Sequence, residues 1–219
     1  MKRFRPRTVT VLAGSGGNGG GGLVAARHLA NAGVDVSVAL GQPPNALAPV
    51  PSHQYDIIER IGVSVIDEPA RADVVIDAQI GCSLRGAPRG RIGELVERIG
   101  DLGDRVVALD TPSGMDVTTG SVPGVAVTAD LTMTLGLPKI GLRGQDRVGE
   151  LYLADISIPP SVYAAIGVGP APDFTSSSIL RVLRANASTD AAGASWAGVQ
   201  RPSGYFAWEF GASVSDDVS

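Results

Sequence analysis

Short apolar runs, many of them β-branched, recur along the first three quarters of the chain. Three of them, at 8–13 (TVTVLA), 73–77 (DVVID) and 105–109 (RVVAL), are almost uninterrupted. Segments with helical spacing separate the runs. A strand that is covered on both faces reads as a continuous apolar run, and regular alternation with helices is typical of a parallel sheet. The sequence therefore predicts an α/β fold, with a mainly parallel sheet and helices on both faces.

The same patterns give a predicted order of elements. The predicted strands are 8–13, 34–40, 63–66, 73–77, 105–109, 131–135 and 151–156. The predicted helices are 22–32, 55–61, a segment around 92–99 and a short helix at 178–186, while 14–22 and 41–53 are predicted as loops. The predicted domains are an N-terminal arm at 1–7, one α/β domain at 8–162, and a tail or appendage at 163–219.

Composition excludes several classes of protein. The formal net charge is −4, so the chain lacks the basic character of a nucleic-acid-binding protein. No apolar run reaches the roughly 18 residues that a membrane span needs. Cys82 is the single cysteine and cannot form an internal disulfide, which favours a reducing, cytoplasmic compartment. We interpret it as a buried or loop thiol rather than a nucleophile.

Glycine is concentrated in one place. The chain has 29 glycines among 219 residues, and seven of them fall between Gly14 and Gly22. This segment follows a strand, precedes a helix and satisfies G-x-G-x-x-G, a pattern whose backbone N–H groups can bind phosphate. A dinucleotide-binding dehydrogenase also needs an acidic residue at the end of the second strand, where this chain has Leu40 and Gly41. A flexible turn is the remaining structural interpretation.

Three polar or glycine-rich segments, 14–22, 77–86 and 110–114, follow predicted strands. In parallel α/β sheets, ligands bind outside the carboxyl ends of the strands, so these segments are expected to form one site. Asp77 and Asp110 each end an apolar strand. They could serve a cation or acid–base chemistry, or each could cap its own turn.

Two further oxygen-bearing side chains, Asn18 and Ser113, lie in these segments. Oxygen ligands suit a hard cation and argue against zinc. Lys139 follows a predicted strand and is either a solvated loop residue or a contact for an anion.

An ordered series of segments carries a family resemblance. The segments are VLAGSGGNGGGGLVAARHLANAGVDV, DVVIDAQIGCSLRG, VVALDTPSGMDVTTG, ADLTMTLGLPKIGL and GELYLADISIP. They resemble the YjeF N-terminal domain, the NAD(P)H-hydrate epimerase family, in order over about residues 8–160. The segment from Asp110 to Gly120, followed by T-x-T-x-G-x-P-K at 132–139, is the most specific part.

The resemblance implies a Rossmann-like three-layer sandwich, in many members a homodimer, that interconverts the R and S hydrates of NADH and NADPH in nicotinamide cofactor repair. It implies a potassium ion held by Asn18, Asp77 and Ser113. Asp110, which also contacts the substrate, and Lys139 are the candidate catalytic residues. The remaining candidate substrate-binding residues are Gly17, Asn18, Gly19, Gly20, Gly21, Gly81, Cys82, Ser83, Leu84, Arg85, Gly86 and Ala87.

The chain departs from the family pattern at two positions. The family loop is similar to G-x-G-N-N-G-G-D-G, and here Gly17 stands at the first Asn position and Gly21 at the Asp position. Both substitutions remove a polar side chain. The alternative function is therefore a non-catalytic ligand-binding or scaffold domain of the same family.

Overall fold

An eight-stranded sheet forms the centre of the molecule. The computed structural model describes residues 5–168, 171–175 and 177–182. Within these residues the strand order is β3-β2-β1-β4-β5-β6-β7-β8. Neighbouring strands are parallel except for β7 and β8, which pair antiparallel.

The strands are β1 (Thr8–Ala13), β2 (Asp35–Leu40), β3 (Ser64–Val65), β4 (Ala72–Ala78), β5 (Gly103–Leu109), β6 (Leu131–Leu135), β7 (Glu150–Ala154) and β8 (Ile179–Val182). The α-helices are α1 (Gly17–Asn31), α2 (Pro49–Arg60), α3 (Gly90–Arg98) and α4 (Pro160–Ala165). Short 3-10 turns cover Pro44–Ala46, Ile99–Asp101, Ile140–Leu142 and Asp146–Val148.

Helices pack on both faces of the sheet because successive side chains of each strand point to opposite faces. On one face, Val9 and Val11 of β1 join a buried cluster that includes Leu23 of α1 and Ile58 of α2. On the other face, Leu12 belongs to a cluster with residues of α3 such as Leu95 and Val96. The predicted fold class, a three-layer α/β sandwich with a mainly parallel sheet, is confirmed.

All seven predicted strands are present, with ends that differ by one or two residues. The predicted helices differ more. Helix α1 begins at Gly17 instead of at 22, so most of the glycine-rich segment is helical. Helix α2 begins at Pro49 because proline is well accommodated in the first turn of a helix, and the predicted loop at 41–53 is wrong from there on.

The predicted short helix at 178–186 is also wrong within the described residues. Residues Ile179–Val182 form β8, which pairs antiparallel with β7. The burial along β8 alternates, with Leu180 and Val182 buried and the residues between and before them exposed. This period of two is the pattern of an edge strand with one covered face. Residues 183–186, like most of the predicted tail, lie outside the described residues.

Among the described residues, no helix combines the length and the apolar character that crossing a membrane would require.

Candidate functional site

The carboxyl ends of three neighbouring strands, β1, β4 and β5, meet at one edge of the sheet. The register places Leu12 of β1 opposite Asp77 of β4, and Asp77 opposite Ala108 of β5. The segments that follow these strands therefore emerge side by side. The order of the sheet reverses between β1 and β4, so the crevice between them is the topological switch point at which α/β sheets bind ligands.

Asp77 is a fully buried carboxylate held by the segment after β5. Its Oδ1 accepts a hydrogen bond from the Ser113 hydroxyl at 2.6 Å, and its Oδ2 accepts one from the Ser113 backbone N–H at 2.7 Å. The Gln79 N–H also donates to Oδ1, at 3.3 Å. Burial raises the pKa of Asp77 to about 6, and the hydrogen bonds oppose that rise. No cationic side chain among the described residues forms an ion pair with it.

Asp110 is the second carboxylate at this edge, and Lys139 is its partner. The ammonium of Lys139 donates to Asp110 Oδ1, to Leu135 O at 2.9 Å and to Thr134 Oγ1 at 3.1 Å. Both charged side chains are about nine-tenths buried, and the pair is therefore shielded from solvent. Asp110 has φ +68, in the left-handed region that non-glycine residues seldom adopt. Such conformations cluster at functional sites.

Cys82 completes the surroundings of Asp110. Its thiol donates a hydrogen bond to Asp110 Oδ2 at 3.0 Å, so each carboxylate oxygen of Asp110 has its own donor. Cys82 is an exposed residue, but partial desolvation of its sulfur and the bond to Asp110 raise the pKa of its thiol to about 11. A thiol with so high a pKa is protonated near neutrality and is a poor nucleophile. The interpretation of Cys82 as a loop thiol agrees with this environment.

The first turns of α1 approach the neighbouring backbone too closely for larger residues. A Cβ atom at Gly19 would lie 1.8 Å from Gly14 O, and one at Gly14 would lie 2.0 Å from Gln79 O. At Gly22 it would lie 2.5 Å from the Cβ of Ala78. By contrast, Gly17 faces open space. A Cβ at Gly21 would meet only a methyl group of Leu109, at 3.0 Å.

A cavity of about 310 Å³ opens at the switch point between β1 and β4. The segment before and at the start of α1 forms one wall, and the segment from the end of β4 to α3 forms the other. Gly81 lies between the cavity and the Asp110 pair. A Cβ at this position would be 3.1 Å from Asp110 Oδ2 and 3.3 Å from Asn18 Cγ. Because Gly81 has no side chain, Asp110 and Asn18 can both lie next to the cavity.

The structure brings most of the predicted site residues together. The predicted residues that line the cavity are Gly17, Asn18, Gly81, Ser83, Leu84, Arg85, Gly86 and Ala87. Asp77, Ser113, Asp110, Lys139 and Cys82 form the hydrogen-bonded groups beside it. Gly19, Gly20 and Gly21 lie within α1 and are not among the residues that line this cavity. Asn18 also donates from Nδ2 to Leu109 O at 3.2 Å, which ties α1 to the end of β5.

Seven residues that line the cavity are not among the predicted site residues: Ser15, Gly16, Gln79, Ile80, Pro88, Arg89 and Ile92. Gln79 stands two positions after Asp77, and a polar residue at the end of a buried strand is the signal that could have identified it. Arg89 and Ile92 belong to no motif. They reach the cavity only because α3 folds back toward the sheet.

The fold and the candidate site define a Rossmann-like α/β domain with a cavity at the switch point of its sheet. The crystal structure of yeast ynu0, YNL200c, has the same fold. It superposes with a TM-score of 0.69 at 23% identity, covering 80% of this chain and 77% of the yeast chain.

Sequence comparison places the chain within a family. The family described as YjeF-related protein N-terminus matches residues 1–141, and the chain belongs to this family. The NAD(P)H-hydrate epimerase of Dehalogenimonas lykanthroporepellens is 46% identical over 164 residues, which are 73% of this chain and 66% of that protein. The NAD(P)H-hydrate epimerase of Truepera radiovictrix is 35% identical, over 74% of this chain and 75% of that protein.

Longer relatives share the same region. The bifunctional NAD(P)H-hydrate repair enzyme Nnr of Thermofilum pendens is 41% identical over 70% of this chain, but only 32% of that enzyme is matched. The chain thus spans about two thirds of the Dehalogenimonas epimerase and about a third of the bifunctional enzyme.

Proposed function

We propose that this protein is an NAD(P)H-hydrate epimerase, an isomerase that interconverts the R and S hydrates of NADH and NADPH. The names of the relatives support the proposal. The observation that carries it is the Asp110–Lys139 ion pair, buried next to the cavity at the switch point. The pair places one carboxylate and one ammonium where a bound dinucleotide could meet them.

Inversion at the hydrated ring carbon requires its bond to oxygen to break and to form again, directly or through ring opening. Either route moves a proton to and from the departing oxygen. A carboxylate within hydrogen-bonding reach of that oxygen can act as the general acid and base. We assign this role to Asp110, and to Lys139 the role of holding the carboxylate in place with its opposite charge.

A monovalent cation is the second part of the proposal. Asn18, Asp77 and Ser113 supply the amide, carboxylate and hydroxyl oxygens that hard cations prefer. The fit rests on Asp77, a buried carboxylate whose raised pKa reflects burial without a cationic partner. Potassium bound there would supply positive charge next to the segment after β4 that lines the cavity, and it would favour the ionised form of Asp77. Among the described residues, no cluster of three His, Cys, Asp or Glu side chains offers a different kind of metal site.

The non-catalytic function is the second candidate, and the absence of side chains at Gly17 and Gly21 favours it. Neither position is closed to a side chain by backbone contacts. The polar group that the family pattern has at the first position is therefore absent from Gly17 although the fold has room for it, and at Gly21 only the side chain of Leu109 would have to move. The homodimer and the cytoplasmic location stay predictions, and the proposed partner is the hydrated dinucleotide itself.

The test is a direct epimerisation assay. Purified R hydrate is incubated with the protein, and the S hydrate is followed by chromatography with and without potassium. We expect conversion well above the spontaneous rate, faster with potassium, and a loss of roughly 10²-fold or more in Asp110→Asn because general acid–base catalysis contributes about that much. Wild-type protein that leaves the spontaneous rate unchanged would refute catalysis and favour the binding or scaffold function.

A matched variant shows whether removing any single carboxylate lowers the epimerisation rate. Asp56 is an exposed residue of α2, far in sequence from the segments of the site. Asp56→Asn should keep the wild-type rate. If Asp110→Asn also keeps it, the role assigned to Asp110 is wrong even though the protein is an epimerase.

A further inference from the structure

The side chain of Gln79 is buried without a hydrogen-bond partner. The residue is 4% exposed, and neither its Oε1 nor its Nε2 has a partner among the described residues. The amide lies close enough to Asp77 to lower the pKa of that carboxyl, but the two side chains form no well-aligned hydrogen bond. Most buried polar groups are hydrogen-bonded, because leaving one unpaired costs free energy. An unpaired buried amide therefore calls for a partner that the protein itself does not supply.

Gln79 belongs to the residues that line the cavity at the switch point. Its Oε1 adjoins Gly41, at the end of β2, where a Cβ would lie 3.5 Å from this oxygen and 2.7 Å from Ile92 Cγ1. The absence of a side chain at 41 thus leaves room for the amide beside Ile92 of α3. The amide lies on the β2 side of the cavity, and Asp110 adjoins the opposite side through Gly81.

The mouth of the cavity carries groups that attract anions. Arg85 and Arg89 both line it, and neither forms an ion pair with another described residue. Helix α1 begins there with Gly16 as its N-cap, which has no side chain to satisfy the first N–H groups. A helix N-terminus with free N–H groups and nearby guanidinium groups binds phosphate well.

We propose that the carboxamide of Gln79 is a specificity-determining group of this cavity, and that it recognises the polar edge of the ring in one nucleotide half of the dinucleotide. The ligand edge carries an amino donor next to an acceptor, which is the complement of a glutamine amide. Arg85, Arg89 and the start of α1 bind the phosphate of the same half. A cavity of about 310 Å³ is at the lower end of the range for small-molecule sites, which suits one half rather than the whole dinucleotide.

Two parts of a nicotinamide dinucleotide have such an edge: the adenine base and the nicotinamide carboxamide. The test distinguishes them by measuring the binding of adenosine monophosphate and of nicotinamide mononucleotide by titration calorimetry. The key variant is Gln79→Met, which keeps the length of the side chain and removes its polar atoms. We expect the half that occupies the cavity to bind roughly tenfold or more weakly to Gln79→Met, while the other half is unaffected.

The same variant has a second readout, its melting temperature. Removing a buried polar group that has no partner stabilises a folded protein or leaves its stability unchanged. Gln79→Met should therefore melt at the wild-type temperature or above it while binding ligand less well. Gln79→Leu offers a second apolar replacement if the methionine variant is poorly folded.

Gln54→Met is the matched control. Gln54 lies on α2, its Oε1 is also buried without a partner, and it does not line the cavity. This variant should bind both mononucleotides as the wild type does. The inference is overturned if Gln79→Met binds both as the wild type does, or if the wild type binds neither at millimolar concentration.

The inference rests on the proposed function only in taking the ligand to be a nicotinamide dinucleotide. Binding that depends on Gln79 in a protein that does not epimerise the hydrate would overturn the proposed function and support the role of Gln79. If Gln79→Met epimerises the hydrate with wild-type kinetics and binds both mononucleotides as the wild type does, the role of Gln79 is overturned and the proposed function is supported.

Discussion

At the scale of single residues, the site depends on how Asp110 is held. Its two carboxylate oxygens face different donors, the thiol of Cys82 and the ammonium of Lys139, and its backbone adopts a left-handed conformation at the end of β5. The backbone N–H of Asp110 donates to Met133 O at 2.7 Å, which anchors this conformation to β6. The orientation of the carboxylate is therefore set by backbone and side chain together.

The reactivity of Cys82 reports on this arrangement. Its pKa is raised to about 11, so near pH 8 its thiolate fraction should be on the order of a hundredfold below that of an ordinary thiol. Because Cys82 is the single cysteine, alkylation by iodoacetamide reads this one site. We expect the folded protein to react about a hundredfold more slowly at pH 8 than the urea-unfolded chain, with a rate that rises with pH.

The Asp110→Asn variant tests whether Asp110 contributes to the raised pKa of Cys82. Removing the carboxylate removes the two contributions of Asp110 that raise the thiol pKa, although the partial desolvation of the sulfur remains. Alkylation should become several-fold faster, whereas Asp56→Asn should leave the rate as it is. An equal rate in the folded and unfolded wild type would contradict the described environment of Cys82.

The sequence predicted which residues lie at this site, but not which side chains they contact. Asp77 lies at the carboxyl end of β4, and Asp110 and Lys139 follow β5 and β6. The rule that ligands bind at the carboxyl ends of parallel strands is enough to predict that edge as the site. The ion pair between Asp110 and Lys139 was not predicted, since it depends on the path of the chain after β6. The unpaired amide of Gln79 depends in the same way on packing against Gly41 and Ile92.

At the scale of elements, helix α1 is the unusual feature because glycines fill its first turns. Glycine in a helix normally costs about 0.5–1 kcal/mol relative to alanine. Here close contacts require glycine at two positions of the helix, Gly19 against Gly14 O and Gly22 against Ala78 of β4, and at Gly14 before the helix, which lies against Gln79 O. The helix can therefore approach the ends of β1 and β4, which brings its N-terminus to the cavity. The start of α1 at Gly17 was not predicted because glycine usually indicates a loop.

Two adjacent alanine substitutions separate these effects. Gly19→Ala should destabilise the protein by roughly 1–3 kcal/mol, because its Cβ would lie 1.8 Å from Gly14 O and the backbone must shift. Gly20→Ala should stabilise it by about 0.5–1 kcal/mol, because its Cβ would meet Pro51 at an ordinary 3.6 Å and alanine favours the helix. Urea denaturation followed by circular dichroism measures both changes. Two changes of the same sign would show that the close contact at Gly19 does not control the helix.

At the scale of the whole molecule, the sheet has two different halves. Strands β1, β4 and β5 carry the candidate site at their carboxyl ends, Lys139 follows β6, and β7 and β8 extend the sheet away from the site. Val182 of β8 packs into a third buried cluster, which contains Leu151 and Leu153 of β7 together with Met115 from the segment after β5. Through Met115, this cluster adjoins the segment that also contains Asp110 and Ser113. The predicted domain boundary at 162 stays a prediction, and β8, which lies beyond it, pairs with the central sheet.

This arrangement predicts that β8 contributes to the stability of the whole sheet although it is the last strand in the described sheet order. Leu180 is 4% exposed and pairs with Leu153, while its neighbour Ile179 is 37% exposed. Leu180→Ala should cost roughly 2–4 kcal/mol of unfolding free energy, which for a chain of this size lowers Tm by several degrees. Ile179→Ala removes a similar side chain from the exposed face and should cost less than about 0.5 kcal/mol. Scanning calorimetry of the two variants measures this difference. If β8 were a separate appendage, the main unfolding transition would have the same temperature in Leu180→Ala as in Ile179→Ala.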